Sequence, residues 1–591
     1  MTGVLQGART NYMANKTTPQ KEDARWRHLP VMCLVAWCIL GVLLRSAPAA
    51  TVLTSLVSHD CFIPVSGAWA LESGLKIHTD FSTPLGIAYY LPYYWAIKIF
   101  GNTHAVIRHG ESLIFVVLSI MSFFAFKPPR FSWRVAAIGG ALVSLFGTNP
   151  CFLSEPPFVI AEGMAYNRIG IALGYLCLLI AAFPVPRAAN ATNRVEMIEA
   201  LILALALVWS FYSKATYAAT NVFLIAAGLG VAWLLKAPRS WRFYAWLVCS
   251  VAVMAGLVST IWHVDHSKMF DDIRMASASR SRYVFDLADE KDLNGLPYWG
   301  LPAFFLRAAK VVVTHQLELG LLAGLVVLGL GRAAVHSEIS LKQAWLYFAL
   351  VVTVLAVDIM QNLFNGYSQS LPMIPLMWLV LVCVFDRKLT ANPPVTLPQT
   401  ARIFQSLIHA LGLVVVGGYT LYQFTSHVTE CYYNVRAPQW FVKANPASLF
   451  KADERIQAKG WEGFYLVRAG EQEKYTNSFA GRINKGLTLL RKHDLADKKI
   501  VVMDYANPFP FFLGSPYPAG QPIWMHAEAT FSYQNHLPPE TVFRDAEVIL
   551  VPKQPLSQYC EGVLLNLYGG YLGSRYVEVE QDDGWAVYRR R

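Results

Sequence analysis

Two acidic residues stand out in the short stretch that follows the first apolar segment of the chain. Residues 58–82 read SHDCFIPVSGAWALESGLKIHTDFS, with His59-Asp60 at the beginning and Asp80 near the end. One carboxylate can take a proton from a hydroxyl group while a second carboxylate orients that group. Beside a bilayer, such a pair would suit a reaction in which a lipid phosphate meets a hydroxyl acceptor. The alternative is that both carboxylates are solvated segment ends or helix caps.

Basic residues are predicted at the same membrane edge as these carboxylates. Arg168, in the run Tyr166-Asn167-Arg168, begins one apolar segment, and Lys214 lies in the turn between two others. Positive charge at this edge can hold a phosphate that leaves during a reaction. Asn167, Arg168 and Lys214 are therefore candidate substrate-binding residues, together with His59. The alternative for the two cations is that they only extend to the membrane surface.

A second polar loop and one further acidic residue supply more candidates. Residues 263–300 begin with His263-Val264-Asp265-His266, and Lys268 follows. His263, Asp265 and Lys268 are predicted to bind substrate. The His-Asp-His run has residue types that could bind a divalent ion, with ordinary loop solvation as the alternative. A structural zinc site has little support, because CxxC and HExxH motifs are absent, and no metal-binding residue is assigned. Glu162, in the loop before Arg168, is a third catalytic candidate.

The composition determines what kind of protein must position these residues. Of the 591 residues 54% are hydrophobic and only 15% are charged, and long apolar stretches recur from about residue 29 to residue 426. This excludes a single-anchor, fibrous or disordered protein. The formal net charge is +11, but the basic residues are spread over many loops and form no stripe, so no nucleic-acid partner is predicted. The apolar composition instead predicts membrane lipids as partners of this chain.

The distribution of Lys and Arg predicts the topology, because short cytoplasmic loops collect basic residues. The basic tail of residues 1–28 is predicted to be cytoplasmic, and the first helix is expected to stay uncleaved, with Arg45 reaching the interface. The segment 83–100 is assigned to the outer surface with the loop 58–105, because it contains two prolines, a lysine and five aromatic rings. About eleven spans remain, within residues 29–426: Pro30–Leu44, Val106–Phe126, Val135–Gly147, Ile169–Phe183, Val195–Tyr212, Ala215–Leu235, Phe243–Trp262, Glu318–Leu330, Ala344–Asp358, Pro372–Phe385 and Ile403–Phe424.

An odd number of spans places residues 427–591 outside the cytoplasm as a soluble domain. The composition there changes to mixed, charged sequence with turn residues. Buried strands are predicted at 499–505 and 545–551, a helix near 487–493, and a hairpin from 576–579 and 585–588. The fold class is therefore a polytopic α-helical membrane protein with a C-terminal extracytoplasmic α/β domain. This domain is interpreted as a lid or acceptor platform, with a stabilising cap as the alternative.

The outer loop resembles that of the GT-C superfamily of integral-membrane glycosyltransferases, which use polyprenyl-phosphate sugars. In that superfamily an acidic residue follows the first span, juxtamembrane helices precede the second, and many members carry a soluble C-terminal domain outside. Asp60 matches the first feature, residues 65–75 and 83–100 match the second, and residues 426–591 match the third. The acidic pair of the protein O-mannosyltransferase and aminoarabinose-transferase branch is His59-Asp60 here, which departs from that pattern. The run from Gly74 through residues 79–84 also resembles bacterial members.

This resemblance implies an inverting glycosyltransferase of the bacterial inner membrane. It would move a sugar from a polyprenyl-phosphate donor to a glycan, lipid or protein acceptor on the periplasmic face, with Asp60 as the general base and polyprenyl phosphate as the leaving group. Two alternatives stay open. A transporter or lipid flippase would show ionisable groups within its spans. A glycan ligase or polymerase would use a pyrophosphate-linked donor in the same compartment.

Overall fold

The structure is a computed structural model. It describes residues 29–591 except 48–49, 55–57, 127–129, 152–159, 161–162, 186–191, 286–308, 310–311, 314, 336–339, 366–370, 391–398, 443–449, 470–478 and 556–557. The described chain is mostly helical, with two small sheets that lie largely in its C-terminal part. This confirms a polytopic helical membrane protein that carries an α/β domain.

Eleven helices occupy the segments predicted to span the bilayer. Within the described residues, eight helices are long and apolar enough to cross a membrane, and Trp133–Gly147 and Gln316–Gly331 are shorter apolar helices. Large apolar side chains on them face outward; Trp241 is 74% exposed and Val248 is 68% exposed, as expected for a lipid-facing surface. In chain order the helices are α1 Leu29–Ser46, α4 Val106–Phe126, α5 Trp133–Gly147, α6 Ala165–Ala182, α7 Thr192–Ser213, α8 Ala215–Leu234, α9 Trp241–Trp262, α11 Gln316–Val335, α12 Leu341–Asn365, α13 Ile374–Thr390 and α14 Gln399–Val442; the numbers omitted here belong to surface helices described below.

Basic residues from several predicted inner loops meet at one end of the bundle. Arg130 and Arg239 both form ion pairs with Glu199 near the start of α7. Arg387 donates to the carbonyl of Pro184 at 2.9 Å. All of these residues lie at the ends of helices that point away from the C-terminal domain. Three of the loop cations that predicted the topology, Arg130, Arg239 and Arg387, therefore lie at the end of the bundle opposite that domain.

The other end of the bundle holds a second buried charge cluster, which corrects the expectation for Arg45. The Arg45 side chain is 1% exposed and forms an ion pair with Glu111 of α4 at 3.1 Å. Arg108 contacts the same carboxylate at 3.0 Å and also pairs with Glu430 of α14. Arg45 therefore does not reach the interface. A buried cation needs a partner, and the ion pair between Arg45 and Glu111 joins α1 to α4.

The loop between α1 and α4 contains two surface helices, α2 at Phe62–Glu72 and α3 at Ile87–Phe100. Helix α3 has 14 residues with Pro92 inside it, too few to cross a bilayer, as the sequence predicts. Tyr90 and Tyr93 on α3 are buried, so this helix packs against protein. A further surface helix, α10 at His266–Phe285, forms where the sequence predicts a polar loop.

The C-terminal part contains two sheets. The four-stranded sheet has the order β4-β5-β7-β6 and includes the predicted hairpin as antiparallel strands β6 and β7. The three-stranded sheet has the order β1-β3-β2, and β1 comes from the loop after α1. Helix α14 continues to Val442, so the boundary predicted at residue 426 lies inside it. The elements are β1 Thr51–Thr54, β2 Phe450–Arg455, β3 Phe464–Ala469, α15 Phe479–Lys492, β4 Ile500–Val502, α16 Phe509–Leu513, α17 Pro539–Val542, β5 Val548–Pro552, α18 Gln558–Arg575, β6 Tyr576–Gln581 and β7 Trp585–Arg590.

An aromatic cluster fastens the C-terminal domain to the loop that carries Asp60. Phe62, two residues after Asp60, has ring centroids within 6 Å of four phenylalanines of the domain: Phe464, Phe479, Phe511 and Phe512. Trp461, which is fully buried, lies against Phe511 and Phe512. Burial of such rings stabilises by about 1.5–3 kcal/mol each. The domain and the loop therefore share one core.

Candidate functional site

Asp60 lies in a single 3-10 turn, Ser58–Cys61, which follows α1 and strand β1 in the chain. The residue is only 7% exposed. Burial raises the pKa of the Asp60 carboxyl to about 7, and a hydrogen bond from the Met164 backbone and the charge of Arg168 oppose this rise. A carboxyl group with this pKa exchanges protons near neutral pH, which a general base must do.

The segment before α6 is shaped to reach Asp60. Met164 adopts a left-handed backbone with φ of 54°, which is uncommon for a residue with a side chain, and α6 begins directly after it. Arg168 in the first turn of α6 is 1% exposed and donates to the carbonyls of Cys151 at 3.2 Å and Gly163 at 2.5 Å. Arg168 therefore fixes the backbone that faces Asp60, in addition to lowering the pKa of Asp60.

His59 contacts Asp60 without forming an ion pair at neutral pH. His59 Nε2 lies 3.4 Å from Asp60 Oδ1. Burial, with help from the positive charge of Arg482, lowers the pKa of His59 to about 4. The imidazole is therefore neutral at pH 7, and it can serve as a hydrogen-bonding neighbour that leaves the carboxylate charge available for chemistry.

The C-terminal domain supplies aromatic residues that the sequence did not single out. Tyr505 meets the ring of His59 edge-on, with 4.5 Å between centroids, and its hydroxyl lies 2.7 Å from His526 Nδ1. Trp524 lies 6.2 Å from Tyr505 and 6.4 Å from Tyr166 of α6, again between ring centroids. The domain therefore lies directly over the Asp60 turn and closes it from solvent.

Lys214 occupies the turn between α7 and α8, as predicted. Its Nζ donates to Asn167 Oδ1 at 3.1 Å. The same ammonium group lies 4.7 Å from the ring centroid of Tyr166 and 5.4 Å from that of Tyr217, which are cation–π distances. The N-terminus of α8 begins at the next residue and favours an anion. The structure thus brings together three of the predicted substrate-binding residues, Asn167, Arg168 and Lys214.

Asp80 has different contacts from those of Asp60. Its carboxylate accepts from the Lys76 backbone N–H at 2.9 Å and faces Arg544 of the C-terminal domain at 3.5 Å. Both side chains are partly exposed, at 26% and 46%. Asp80 therefore closes a turn and joins the loop to the domain, and none of its described contacts is with Asp60. Asp80 lies in a turn and caps no helix, and its pairing with Asp60 as a second catalytic carboxylate stays a prediction.

Asp272 of α10 is a buried acidic residue that sequence reasoning missed as a site residue. Its carboxylate accepts hydrogen bonds from Ser82 Oγ at 2.6 Å and from the Thr83 backbone at 3.1 Å, and it contacts His78 Nδ1 at 2.7 Å. His78 has a left-handed backbone with φ of 62°. Asp272 therefore holds the end of the outer loop in place. Asp271, the residue before it, is exposed, and nothing in the sequence distinguishes these two aspartates.

The remaining predicted residues lie outside this arrangement. His263 ends α9, and Asp265 accepts from the Lys268 backbone at 3.2 Å, so Asp265 caps α10. Lys268 is exposed. Within the described part of the chain, no three His, Cys, Asp or Glu residues are grouped as metal ligands. Glu162 lies outside the described residues.

Comparisons with known proteins found similarity at the level of solved structures. The chain matches no family model and no curated protein sequence. The crystal structure of ArnT from Cupriavidus metallidurans in the apo state is similar over 94% of this chain and 97% of that one, with 11% identity and a TM-score of 0.39. A cryo-EM structure of the arabinofuranosyltransferase AftD from Mycobacteria is similar over 94% of this chain and 41% of that one, with 13% identity and a TM-score of 0.35. At such low TM-scores, the fold given above rests on this chain's own helices and strands.

Proposed function

We propose that this protein is a membrane glycosyltransferase that moves a sugar from a polyprenyl-phosphate donor to a hydroxyl group of a glycan, lipid or protein acceptor. The observation that carries the proposal is the buried carboxyl of Asp60, in the turn after α1 and β1, whose pKa is raised to about 7. The charge of Arg168 acts on this carboxyl, and the Lys214 ammonium lies over the ring of Tyr166, two residues before Arg168. A base, an aromatic wall and a cation at a membrane edge are what sugar transfer from a lipid phosphate requires.

In the proposed reaction, Asp60 takes the proton of the acceptor hydroxyl as the oxygen attacks the anomeric carbon. The bond between that carbon and the phosphate oxygen breaks, and polyprenyl phosphate leaves with the bonding electrons. The carboxylate becomes neutral while the phosphate gains one negative charge, so charge and atoms balance without another reactant. Attack opposite the leaving group inverts the anomeric configuration.

Lys214 is the proposed phosphate-binding cation. It is half-buried at the start of α8, where the helix N-terminus adds positive potential. The charge that develops on the leaving phosphate would therefore be met by a positioned ammonium group. Arg168 is proposed to act on Asp60, because its guanidinium is buried against two backbone carbonyls. Asn167, which accepts from Lys214, would position the ammonium group.

We place this site on the periplasmic face of the bacterial inner membrane. The support is the grouping of Arg130, Arg239 and Arg387 at the end of the bundle opposite the C-terminal domain, since inner loops collect basic residues. A reporter that is active only in the periplasm, fused after Arg591, should be active. Activity of a cytoplasm-specific reporter at the same position would overturn the orientation.

The experiment that tests the function compares envelope glycans in a deletion strain complemented with variants at matched expression. Asp60→Asn keeps the size of the side chain and removes the base, so we expect the glycan restored by wild type to be missing in mass spectra. The matched control is Asp271→Asn, because the Asp271 side chain is 61% exposed and contacts Arg274 only at the surface. Full restoration by Asp60→Asn would refute the catalytic role.

A further inference from the structure

Tyr89 is a buried tyrosine of the surface helix α3 that the proposed reaction does not use. The residue is 3% exposed, and its ring lies among those of Tyr90, Tyr93 and Tyr166. Within the part of the chain that the structure describes, the Tyr89 hydroxyl makes no hydrogen bond, whereas the hydroxyl of the adjacent Tyr90 lies 2.6 Å from Thr83 Oγ1. Buried tyrosine hydroxyls usually have a hydrogen-bond partner. Tyr89 therefore keeps a donor that a ligand could use.

The backbone fixes the start of α3 beside the turn that carries Lys214. The N–H of Gly86, the residue before α3, donates to the carbonyl of Ser213 at 3.0 Å. A Cβ on Gly86 would lie 2.2 Å from the carbonyl oxygen of Tyr212, so only glycine allows this close approach. Tyr89 follows in the first turn of α3, and its N–H donates to the Gly86 carbonyl at 3.2 Å. Tyr89 is therefore held close to the residues that precede Lys214.

Tyr166 links Tyr89 to both charged groups of the site. Tyr89 meets the ring of Tyr166 edge-on, with 5.5 Å between centroids, and Lys214 Nζ lies 4.7 Å from the centroid of the same ring. Tyr166 comes two residues after Met164, whose backbone forms a hydrogen bond with Asp60. One aromatic ring therefore separates Tyr89 from the ammonium group, and the segment that carries this ring also faces the proposed base.

The Tyr89 hydroxyl is a neutral donor within reach of the charge of Asp60. Burial raises the pKa of Tyr89 well above its ordinary value, and neighbouring tyrosines and the charge of Asp60 raise it further. The hydroxyl therefore stays protonated over the whole pH range of the proposed reaction. A neutral O–H suits an uncharged oxygen, whereas the charge of a phosphate is better met by a cation such as Lys214.

The proposed reaction indicates which uncharged oxygen is available. The acceptor oxygen attacks beside Asp60 and the phosphate leaves beside Lys214, so the sugar ring lies between these two groups. We infer that Tyr89 binds the transferred sugar, with its hydroxyl donating a hydrogen bond to a sugar oxygen. The identity of this ligand rests on the proposed function. Tyr89 then helps to select the sugar, because a buried donor left without its partner discriminates against substrates that lack the matching oxygen.

The test compares sugar transfer by wild type and Tyr89→Phe in membranes of the deletion strain, which supply the acceptor. The probes are radiolabelled neryl phosphates of mannose, glucose, galactose, N-acetylglucosamine and arabinose, and rates are measured with each donor that wild-type membranes use. Tyr89→Phe should lower kcat/KM about tenfold through the lost hydrogen bond. Its melting temperature should equal that of wild type, because no hydrogen bond between described residues is lost. Tyr90→Phe, which loses the contact with Thr83, should melt at a lower temperature.

Inhibition by neryl phosphate, which carries no sugar, separates a sugar contact from a phosphate contact. Its inhibition constant should be the same in Tyr89→Phe as in wild type, because the hydroxyl binds the sugar. The constant should rise about tenfold in Lys214→Met, which loses the proposed phosphate-binding cation. A rise of that size in Tyr89→Phe would place the hydroxyl at the phosphate and overturn the inference.

The matched control is Tyr94→Phe on the same helix. The Tyr94 ring packs against Trp262, with 5.1 Å between centroids, and its hydroxyl makes no hydrogen bond to any described residue, so transfer should equal that of wild type. Transfer by Tyr89→Phe at the wild-type rate would also overturn the inference. Full transfer by Asp60→Asn beside slow transfer by Tyr89→Phe would refute the proposed base and uphold the sugar contact. No transfer from any donor would refute the proposed function and the inference with it.

Discussion

The ring of His59 meets the ring of Tyr505 edge-on, with 4.5 Å between their centroids. His59 belongs to the turn after the first membrane helix, and Tyr505 belongs to the C-terminal domain. His59, next to the proposed base Asp60, is therefore in contact with the C-terminal domain. We interpret that domain from the sequence as a lid or acceptor platform, with a stabilising cap as the alternative. This contact favours a direct part in the site over a purely stabilising role, and it makes the chemistry of Asp60 depend on the domain.

The pH dependence of transfer should follow the Asp60 carboxyl. Burial raises the pKa of Asp60 to about 7, and a general base must be ionised to work. Transfer activity should therefore be high at pH 8 and fall about tenfold for each pH unit below 7, because the Asp60 carboxylate becomes protonated. The measurement is the initial rate in membrane vesicles between pH 5 and 8, with Asp271→Asn as the control. A flat profile would contradict the assignment.

Replacing Arg168 should move that pH profile in a predictable direction. The positive charge of Arg168 lowers the pKa of Asp60, so Arg168→Met should raise the pKa and shift the midpoint of the profile to higher pH. Arg168→Lys keeps the positive charge but loses the hydrogen bonds to two backbone carbonyls. The midpoint of its pH profile should therefore stay close to that of wild type, while its melting temperature falls. Equal midpoints in all three proteins would show that Arg168 does not act on Asp60.

The adjacent residues Asp271 and Asp272 should differ sharply in their effect on stability. Asp272→Ala leaves the Ser82 hydroxyl, the Thr83 N–H and the His78 ring without their acceptor, which should cost on the order of 3 kcal/mol. Asp271→Ala removes an exposed ion pair and should change stability by less than about 0.5 kcal/mol. Thermal unfolding in detergent compares the two. Similar melting temperatures would mean that the Asp272 contacts do not hold the loop.

Asp80 should be far less sensitive than Asp60. Asp80→Asn keeps an acceptor for the Lys76 N–H and weakens only a partly exposed pair with Arg544, so stability should change by less than about 1 kcal/mol. Transfer should stay within about twofold of wild type, whereas loss of a general base costs about a hundredfold or more. A loss of that size in Asp80→Asn, measured in the same vesicles, would restore Asp80 as a second catalytic carboxylate.

Local patterns in the sequence predicted the elements well. Apolar length and loop charge indicated eleven membrane helices and kept residues 83–100 out of the bilayer. The structure has a helix in each of the eleven segments, eight of the described helices are long and apolar enough to cross a membrane, and α3 is short and partly buried. Alternation around a turn predicted the β6–β7 hairpin. These features depend on neighbours in sequence, which a pattern can show.

Contacts between distant segments could not be predicted in the same way. The acceptors of Arg45, the partners of Asp272 and the rings of Tyr505 and Trp524 are set by how separate segments meet. Asp271 and Asp272 look alike in sequence, and only the helix that carries them decides which one is buried. Strand β1 was missed because its four residues continue the apolar composition of α1.

Strand β1 has a consequence for how the protein is made. Its four residues run parallel to β3, with Thr51 opposite Phe464, although nearly all membrane helices lie between them in the chain. The ribosome therefore produces Asp60 and its turn long before the partner strand exists. The helices between β1 and β3 are all synthesised before these two strands can pair, so a prematurely ended polypeptide carries Asp60 without this strand pairing.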